Sequence, residues 1–522
     1  MSAPVQPPPT LVNVTIDGLR IQVPPGTSII EAAKQAGTLV PHYCYHPSLP
    51  SPAVCRMCLV EVEKFPKLVP ACVTTVAEGQ VVHTQSAPAK KAREGVLEFL
   101  LINHPLDCPI CDQAGECELQ DYVFQEGRAN TRYSREAKRY NPVEEFGPDV
   151  LYVANRCILC TRCVRFMDHV AGERVLNVSD RGDRATIGID SARQLDHPWA
   201  GNVVDLCPVG SLISKDFLHK ARAWDLDRSA SICPGCSQGC NISIDTRDDL
   251  VVRFRPRANL EVNRHFICDQ GRAGYRFLNR GDRVDAPLLR QSDGELARTD
   301  WDTALAEAAG VLQRASGSAV IIASGRASVE ALGHTKRLTA HLATRAVVLA
   351  PEGTEAPLAG VPGLALRAER APNVRGAMML GYGTDLEPAL TAASHAAVVI
   401  LLDAVLPDEA LARLSGLAGE LLVFATVPDG SVRDARLVLP ITTMAEETGV
   451  FVNRDGRAQR YAQAKASAGM ARPAWWAAAE IAAHADADAP LPGDASDAFR
   501  MLGEFGGLSH ADLGWVGRVV AT

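Results

Sequence analysis

Fifteen cysteines lie between Cys44 and Cys268, and the rest of the chain has none. An odd count with tight local gaps is poor material for a disulfide framework, whereas clustered thiols in a reducing compartment point to metal. The spacing sorts them into four groups. Cys44, Cys55, Cys58 and Cys72 are separated by 10, 2 and 13 residues. The stretch "HPLDCPICDQAGEC" carries Cys108, Cys111 and Cys117 after His104, with gaps of 3, 2 and 5. "CILCTRC" holds Cys157, Cys160 and Cys163 at the two-residue spacing that opens a bacterial [4Fe–4S] run. The fourth cysteine of that run is missing, since Met167 occupies its place, and a Cys-Pro pair appears only later at Cys207-Pro208. Cys233, Cys236, Cys240 and Cys268 form the last group, with gaps of 2, 3 and 27. Four thiolates can hold tetrahedral zinc as well as a cluster, so zinc stands as the competing reading.

Three groups take four cysteines each, which leaves three for the stretch at Cys108. A cubane needs one protein ligand per iron, so that site is one ligand short. His104 is the nearest donor of suitable softness. An open iron position, or His46, His83 or His169 arriving from elsewhere, would also close the count. A histidine at the end of a helix has a plainer role too, because a cation is favourable there.

Each group needs elements to position it. "LVNVTIDGLRIQV" alternates apolar and polar residues around Asp17-Gly18 and reads as a β-hairpin. Ser28 and Glu31 have capping-box spacing ahead of a short helix over Ile29–Ala36, which Gly37 can close. Hairpin, helix and cysteine loop resemble the β-grasp fold of [2Fe–2S] ferredoxins, with a longer first loop than the plant-type pattern. In "AREGVLEFLLINH", Val96, Leu97, Leu100 and Leu101 have helical spacing, which puts His104 at a helix end. Past residue 283 short apolar runs at 319–324, 346–350, 396–404 and 421–427 alternate with helical segments, as in a parallel α/β sheet. "GYGTD" at 381–385 lacks the G-x-G-x-x-G pattern and reads as a βα turn.

The full order of motifs is similar to that of one family, the large iron–sulfur subunits of bacterial respiratory complex I, the NADH-quinone oxidoreductase G subunits. The similarity runs over about residues 10–282. It implies a multidomain α+β and α/β chain: a β-grasp [2Fe–2S] ferredoxin-type domain at 10–87, a His(Cys)3-ligated [4Fe–4S] domain at 88–127, a [4Fe–4S] domain at 128–225, a molybdopterin-oxidoreductase-type [4Fe–4S] segment at 226–282, and a shortened, degenerate molybdopterin-oxidoreductase-like α/β domain at 283–522. "TTMAEETGVFVNRDGRAQRY" carries the last part of the resemblance. The implied ligands are Cys44, Cys55, Cys58 and Cys72 for one [2Fe–2S] cluster. For three [4Fe–4S] clusters they are His104, Cys108, Cys111 and Cys117; Cys157, Cys160, Cys163 and Cys207; and Cys233, Cys236, Cys240 and Cys268. No molybdopterin is expected, because the tail is short for enclosing two pterins and offers no cysteine ligand, although serine or aspartate could ligate in its place. The implied role is electron transfer within a proton-translocating NADH:quinone oxidoreductase, with the NADH and quinone sites on other subunits. The implied partners are the flavoprotein NADH-binding subunit, the small ferredoxin-like [4Fe–4S] subunit and other peripheral-arm subunits. The implied order is the [2Fe–2S] cluster, the Cys157 cluster, then the His104 cluster, with the fourth off that path. Imidazole in place of thiolate removes a negative charge, which taken alone raises a cluster's potential.

Composition fits this reading. The chain has 522 residues, a net charge of −8 and a sequence pI of about 5.9, which argues against general nucleic-acid affinity. The N-terminal "MSAPVQPPPT" has no basic or apolar core of a signal peptide, and no apolar run has the length of a membrane span, so a peripheral place on the cytoplasmic side of the plasma membrane is expected. Arg128, Arg132, Arg135, Lys138 and Arg139 make a locally basic segment that could offset cluster charge, face a partner or be solvated. The six tryptophans read as core. An NAD-linked formate dehydrogenase or an iron hydrogenase subunit is the alternative. Met167 argues against the first, and the cysteine-free tail against the second.

Overall fold

The computed structural model describes residues 11–134, 138, 141–190, 192–417 and 419–520. Arg135 and Arg139 of the basic segment and the first ten residues lie outside that set. The chain divides into two units, one of residues 1–225 with 358–362, the other of 226–357 with 363–522.

The first unit opens on a five-stranded mixed sheet. Strands β1 (Val12–Ile16) and β2 (Leu19–Val23) pair antiparallel across Asp17-Gly18, both at positive φ as such a tight turn requires. The helix α1 (Ile29–Gln35) follows, then β3 (Leu59–Val62), β4 (Val69–Pro70) and β5 (Gln80–His83), giving the order β2-β1-β5-β3-β4. β5 runs parallel to β1, the crossed return that makes a β-grasp. Ile29, Ala32 and Ala33 of α1 are buried against Val14, Ile16, Val60 and Val82 of the sheet. The capping box is not formed. Ser28 sits at the N-cap without a side-chain bond, and Glu31 instead accepts the hydroxyl of Tyr45. Gly37, at φ +74°, follows the helix as expected.

Beyond the sheet, α2 (Ala87–Asn103) and α3 (Glu118–Glu126) flank the second cysteine group. Ser86 Oγ caps α2 by accepting from Ala89 N, and Pro88 stands in its first turn, where a missing N–H costs nothing. Arg93, fully buried in α2, bonds Glu126 on α3 at 3.0 Å and the Thr84 carbonyl at 2.9 Å, so one guanidinium fastens both helices to the end of the sheet. Arg128 pairs with Glu94 and Arg132 with Glu98, so this part of the basic segment packs along α2.

The second unit is built on a seven-stranded sheet. Its order is Leu296–Arg298, Leu288–Arg290, Leu437–Pro440, Glu420–Ala425, Val398–Leu402, Ser318–Ser324, Ala343–Leu349. The last five strands are parallel and contain the four apolar runs; the first two add an antiparallel edge. Alternate residues feed opposite faces: Ile321 and Ile400 enter one core, Ile322 and Leu401 the other. "GYGTD" is preceded by a helix, Val374–Met379, not a strand, and Asp385 caps the next helix, Leu386–Ala393. It is therefore a helix–helix connection. Trp199, Trp301 and Trp475 are core residues, but Trp224 and Trp515 are exposed.

One acid in this unit is held in its protonated form. Burial, helped by the charge of Glu330, pushes Glu447 up to about 8 although Thr442 Oγ1 and Tyr461 OH donate to its two oxygens at 2.7 and 3.0 Å. Unfolded, this carboxyl titrates near 4.3 (roughly the free value). From there up to about pH 8 the folded state keeps a proton that the unfolded state has lost, so stability falls as pH rises, at most ~1.4 kcal/mol per pH unit. Glu447→Gln mimics the neutral acid. It is expected to lose less thermal stability than the wild type between pH 5.5 and 7.5; equal losses in melting curves would show that Glu447 is ionised in the fold.

Candidate metal centres

The first site sits at the open end of the β-grasp sheet. Cys44 follows α1, Cys55 and Cys58 precede β3, and Cys72 follows β4. Cys44 N donates to Cys55 Sγ at 3.5 Å, and the four thiols influence one another's titration. Their interaction pulls the Cys44 thiol far down and pushes Cys55 and Cys72 up. The loop that delivers Cys44, Cys55 and Cys58 has Ala53 and Arg56 in left-handed conformation, at φ +54° and +57°. Non-glycine residues adopt this uncommonly, and it marks functional loops.

The second site lies between α2 and α3. His104 is the C-cap residue of α2, in extended conformation. The capping role falls elsewhere, because Lys138 Nζ donates to the carbonyls of Leu101 and His104 at 3.2 and 2.6 Å. The His104 ring is thus free to line a cavity of about 120 Å³ with Cys108, Cys111 and Cys117. His46, His83 and His169 are not in its wall. Burial, with Lys138 and Arg156 adding positive charge, pushes His104 down to about 4, so the imidazole is neutral, the form that binds metal. Burial pushes the Cys117 thiol up to about 11. The loop is held by Arg222, which donates to the Cys111 carbonyl at 2.6 Å and to that of Pro109, and by Arg156 on Asp107 at 2.9 Å.

The third site collects Cys157, Cys160, Cys163 and Cys207 round a smaller cavity of about 20 Å³ walled by Tyr152, Ile187 and Val209. Leu159 and Thr161 alternate with the cysteines in left-handed conformation, which curls the run inward. Cys207 arrives from the C-cap of a separate helix, Asn202–Leu206. Leu159 N donates to Cys157 Sγ at 3.4 Å. Burial pushes Cys160 up to about 12 and Cys207 to about 11. Met167, where a regular ferredoxin run has its last cysteine, is fully buried in a stretch of π-helix.

The fourth site belongs to the second unit. Cys233, Cys236 and Cys240 lie in the turn between the strands Asp227–Ile232 and Asn241–Arg247, and Cys268 caps the helix Asp269–Ala273. Gly235 N and Gly271 N donate to Cys233 and Cys268 sulfurs at 3.4 and 3.2 Å. A Cβ on Gly271 would lie 3.1 Å from Cys233 Sγ and 3.2 Å from Cys268 Sγ, so this glycine lets the two sulfurs approach.

These donor sets fit iron–sulfur clusters. The pockets are lined by thiols, apolar side chains and N–H groups aimed at sulfur, the environment that tunes such clusters. Among the described residues no three His, Cys, Asp or Glu side chains converge as a single ion requires. In a cubane each ligand holds a different iron, so its donors need not converge.

Comparisons with known proteins follow the same divisions. Residues 10–87 match a 2Fe-2S iron-sulfur cluster binding domain, and 93–132 the NADH-ubiquinone oxidoreductase-G iron-sulfur binding region. Residues 147–213 match the ferredoxin-like domain of NADH-quinone oxidoreductase subunit 3. Residues 227–280 match the molybdopterin oxidoreductase Fe4S4 domain, and 421–484 molybdopterin oxidoreductase. The NADH-quinone oxidoreductase G subunit of Rickettsia bellii is 43% identical over 323 residues, covering 62% of this chain and 47% of that protein. The G subunit of Streptomyces coelicolor is 40% identical over 326 residues, covering 62% and 39%. The chain is a relative of the NADH-quinone oxidoreductase G subunits. It spans about half the length, or less, of these two relatives. A crystal structure of NAD+-reducing [NiFe]-hydrogenase in the H2-reduced state aligns at 28% identity and a TM-score of 0.37, over 40% of this chain and 90% of that one.

Several residues beside the sulfurs carry no motif. Tyr152 and Ser211 line the third site, where Ser211 Oγ donates to the Val153 carbonyl at 3.0 Å, and Gly210 packs on Cys111. Gly210 lies far along the chain from Cys111, which hides it from spacing arguments. Gly210 gives the sharpest constraint. A Cβ there would stand 2.2 Å from Cys111 Sγ, well inside van der Waals contact. Gly210→Ala is therefore expected to lower iron by about four atoms per chain and to remove one EPR signal; unchanged iron and spectra would show that the sulfur turns away.

Proposed function

We propose that this chain is an electron-transfer subunit of an NADH-quinone oxidoreductase, binding one [2Fe–2S] and three [4Fe–4S] clusters at the four sites above. Bound clusters supply one-electron transfer with little change in geometry. The residues of the chain do the rest. Cys44, Cys55, Cys58 and Cys72 hold the [2Fe–2S] cluster; His104, Cys108, Cys111 and Cys117 the mixed-ligand [4Fe–4S] cluster; Cys157, Cys160, Cys163 and Cys207, and Cys233, Cys236, Cys240 and Cys268, the other two. Tyr152, Ile187 and Val209 keep water from the third site, and the neutral His104 offers nitrogen where the second is short of a thiol.

The observation that carries this reading is the sharing of one core by three sites. Cys44, Cys117 and Cys160, one from each of the first three groups, pack in a single apolar cluster with Tyr43, Met57, Leu97 and Tyr122. Electron transfer between clusters needs such closeness; storage of independent structural metals does not. The reading takes in the domain limits expected from the sequence and a shortened molybdopterin-oxidoreductase-like domain without molybdopterin. The two-electron chemistry belongs to a flavoprotein NADH-binding partner, and a small [4Fe–4S] subunit accepts electrons. Among the described residues no helix is long and apolar enough to cross a membrane. A peripheral position on the cytoplasmic face of a membrane complex agrees with that.

The reconstituted or native holoprotein is expected to hold about 14 irons per chain rather than a few zincs. His104→Ala is expected to leave the other EPR signals in place and to lose or alter one. A full iron count with every signal unchanged removes His104 from the ligand set.

A further inference from the structure

Two arginines connect the sites, and no cysteine motif points to them. Arg162 and Arg165 follow Cys160 in the short helix Arg162–Arg165 and are 4% and 8% exposed. Arg162 Nη2 donates to the Tyr45 carbonyl at 2.8 Å, beside Cys44 of the first site. Its Nη1 donates to the Leu206 carbonyl at 3.3 Å, beside Cys207 of the third, and to Glu118, beside Cys117 of the second, at 3.0 Å. Arg165 Nη2 donates to the carbonyl of Cys44 itself at 2.5 Å and to that of Cys160 at 3.2 Å, while Nη1 reaches the Pro50 carbonyl at 2.6 Å. Two guanidinium groups thus hold the backbone of the first and third cysteine loops and the Glu118 side chain beside the second.

The charge count is uneven. Glu118 is the carboxylate that pairs with Arg162, and its side chain is 37% exposed. Among the described residues Arg165 bonds only neutral acceptors, Thr161 Oγ1 and three carbonyls. Arg162 Nε is buried with no partner among the described residues. A buried cation left short of carboxylates is costly unless another anion compensates it. The anions at hand are the thiolates of the neighbouring sites.

We propose that Arg162 and Arg165 are the positioning residues that join the first and third sites, and that their surplus buried positive charge holds up the reduction potential of the cluster at Cys157, Cys160, Cys163 and Cys207. This rests on the reading of those cysteines as cluster ligands. Reduction adds an electron, so a fixed positive charge nearby favours the reduced state and raises the potential. Removing the cation lowers the potential, and removing Glu118 raises it. A purely structural clamp gives no such opposition of sign.

The test is an EPR-monitored redox titration of the full-length holoprotein with iron analysis. Wild-type protein lacking a [4Fe–4S] signal for the third site overturns the ligand reading before any variant is made. With that signal present, Arg165→Gln is expected to shift its midpoint downward at unchanged iron content, and Arg165→Lys to restore it towards wild type. Glu118→Gln is expected to shift it upward. An Arg165→Gln midpoint that stays in place at full iron content overturns the proposal. Should Arg165→Gln lose iron, the Glu118→Gln titration decides: an upward shift supports the proposal, and a downward shift or none overturns it.

Discussion

Burying thiolate charge is the constraint on which the first unit depends. Cys44, Cys117 and Cys160 sit in one apolar core with two tyrosines that stack edge to face at 5.3 Å. Burial pushes Cys117 and Cys160 up, so at these two positions the core favours the neutral thiol. A cluster held by these thiolates would require their deprotonation, which would couple its binding to folding. A chain that put its metals on separate surface loops would escape that coupling but would also separate the sites.

The architecture can be read as a means of meeting this constraint three times in one place. A β-grasp sheet delivers the first four sulfurs, three of them from a loop with two left-handed residues. Two helices fastened by Arg93 present the second set, and a tightly curled run closed by a remote cysteine makes the third. The fourth site repeats the logic in the other unit with a different device, glycine N–H groups against sulfur. The seven-stranded sheet of that unit is ordinary by comparison, with both faces apolar because both are covered.

Much of this was legible in the sequence because thiol spacing is a local signal. The hairpin at Asp17-Gly18, the helix ahead of Cys44 and the four parallel strands were readable from period and turn residues. Other features were not, and each failure has a tertiary cause. Glu31 has the spacing of a capping partner but bonds Tyr45, a residue from the cysteine loop. "GYGTD" follows apolar residues that are helical, since a short apolar run does not distinguish strand from helix. Gly210, Arg162 and Arg165 matter through contacts with residues far away in the chain, which no spacing rule contains.

Cys207 also has a meaning in time. A nascent chain that has emerged only as far as Cys163 holds three of the third site's four sulfurs and cannot close it. The candidate donors of the second site are complete at Cys117, yet Gly210, three residues past Cys207, packs against Cys111 and completes its wall. Both sites therefore reach their final shape with the same late segment of translation, whereas the first has all its sulfurs once Cys72 is out. The first site, too, awaits Arg162 and Arg165 on the Cys44 and Tyr45 carbonyls, so the closed form of all three depends on residues beyond Cys160.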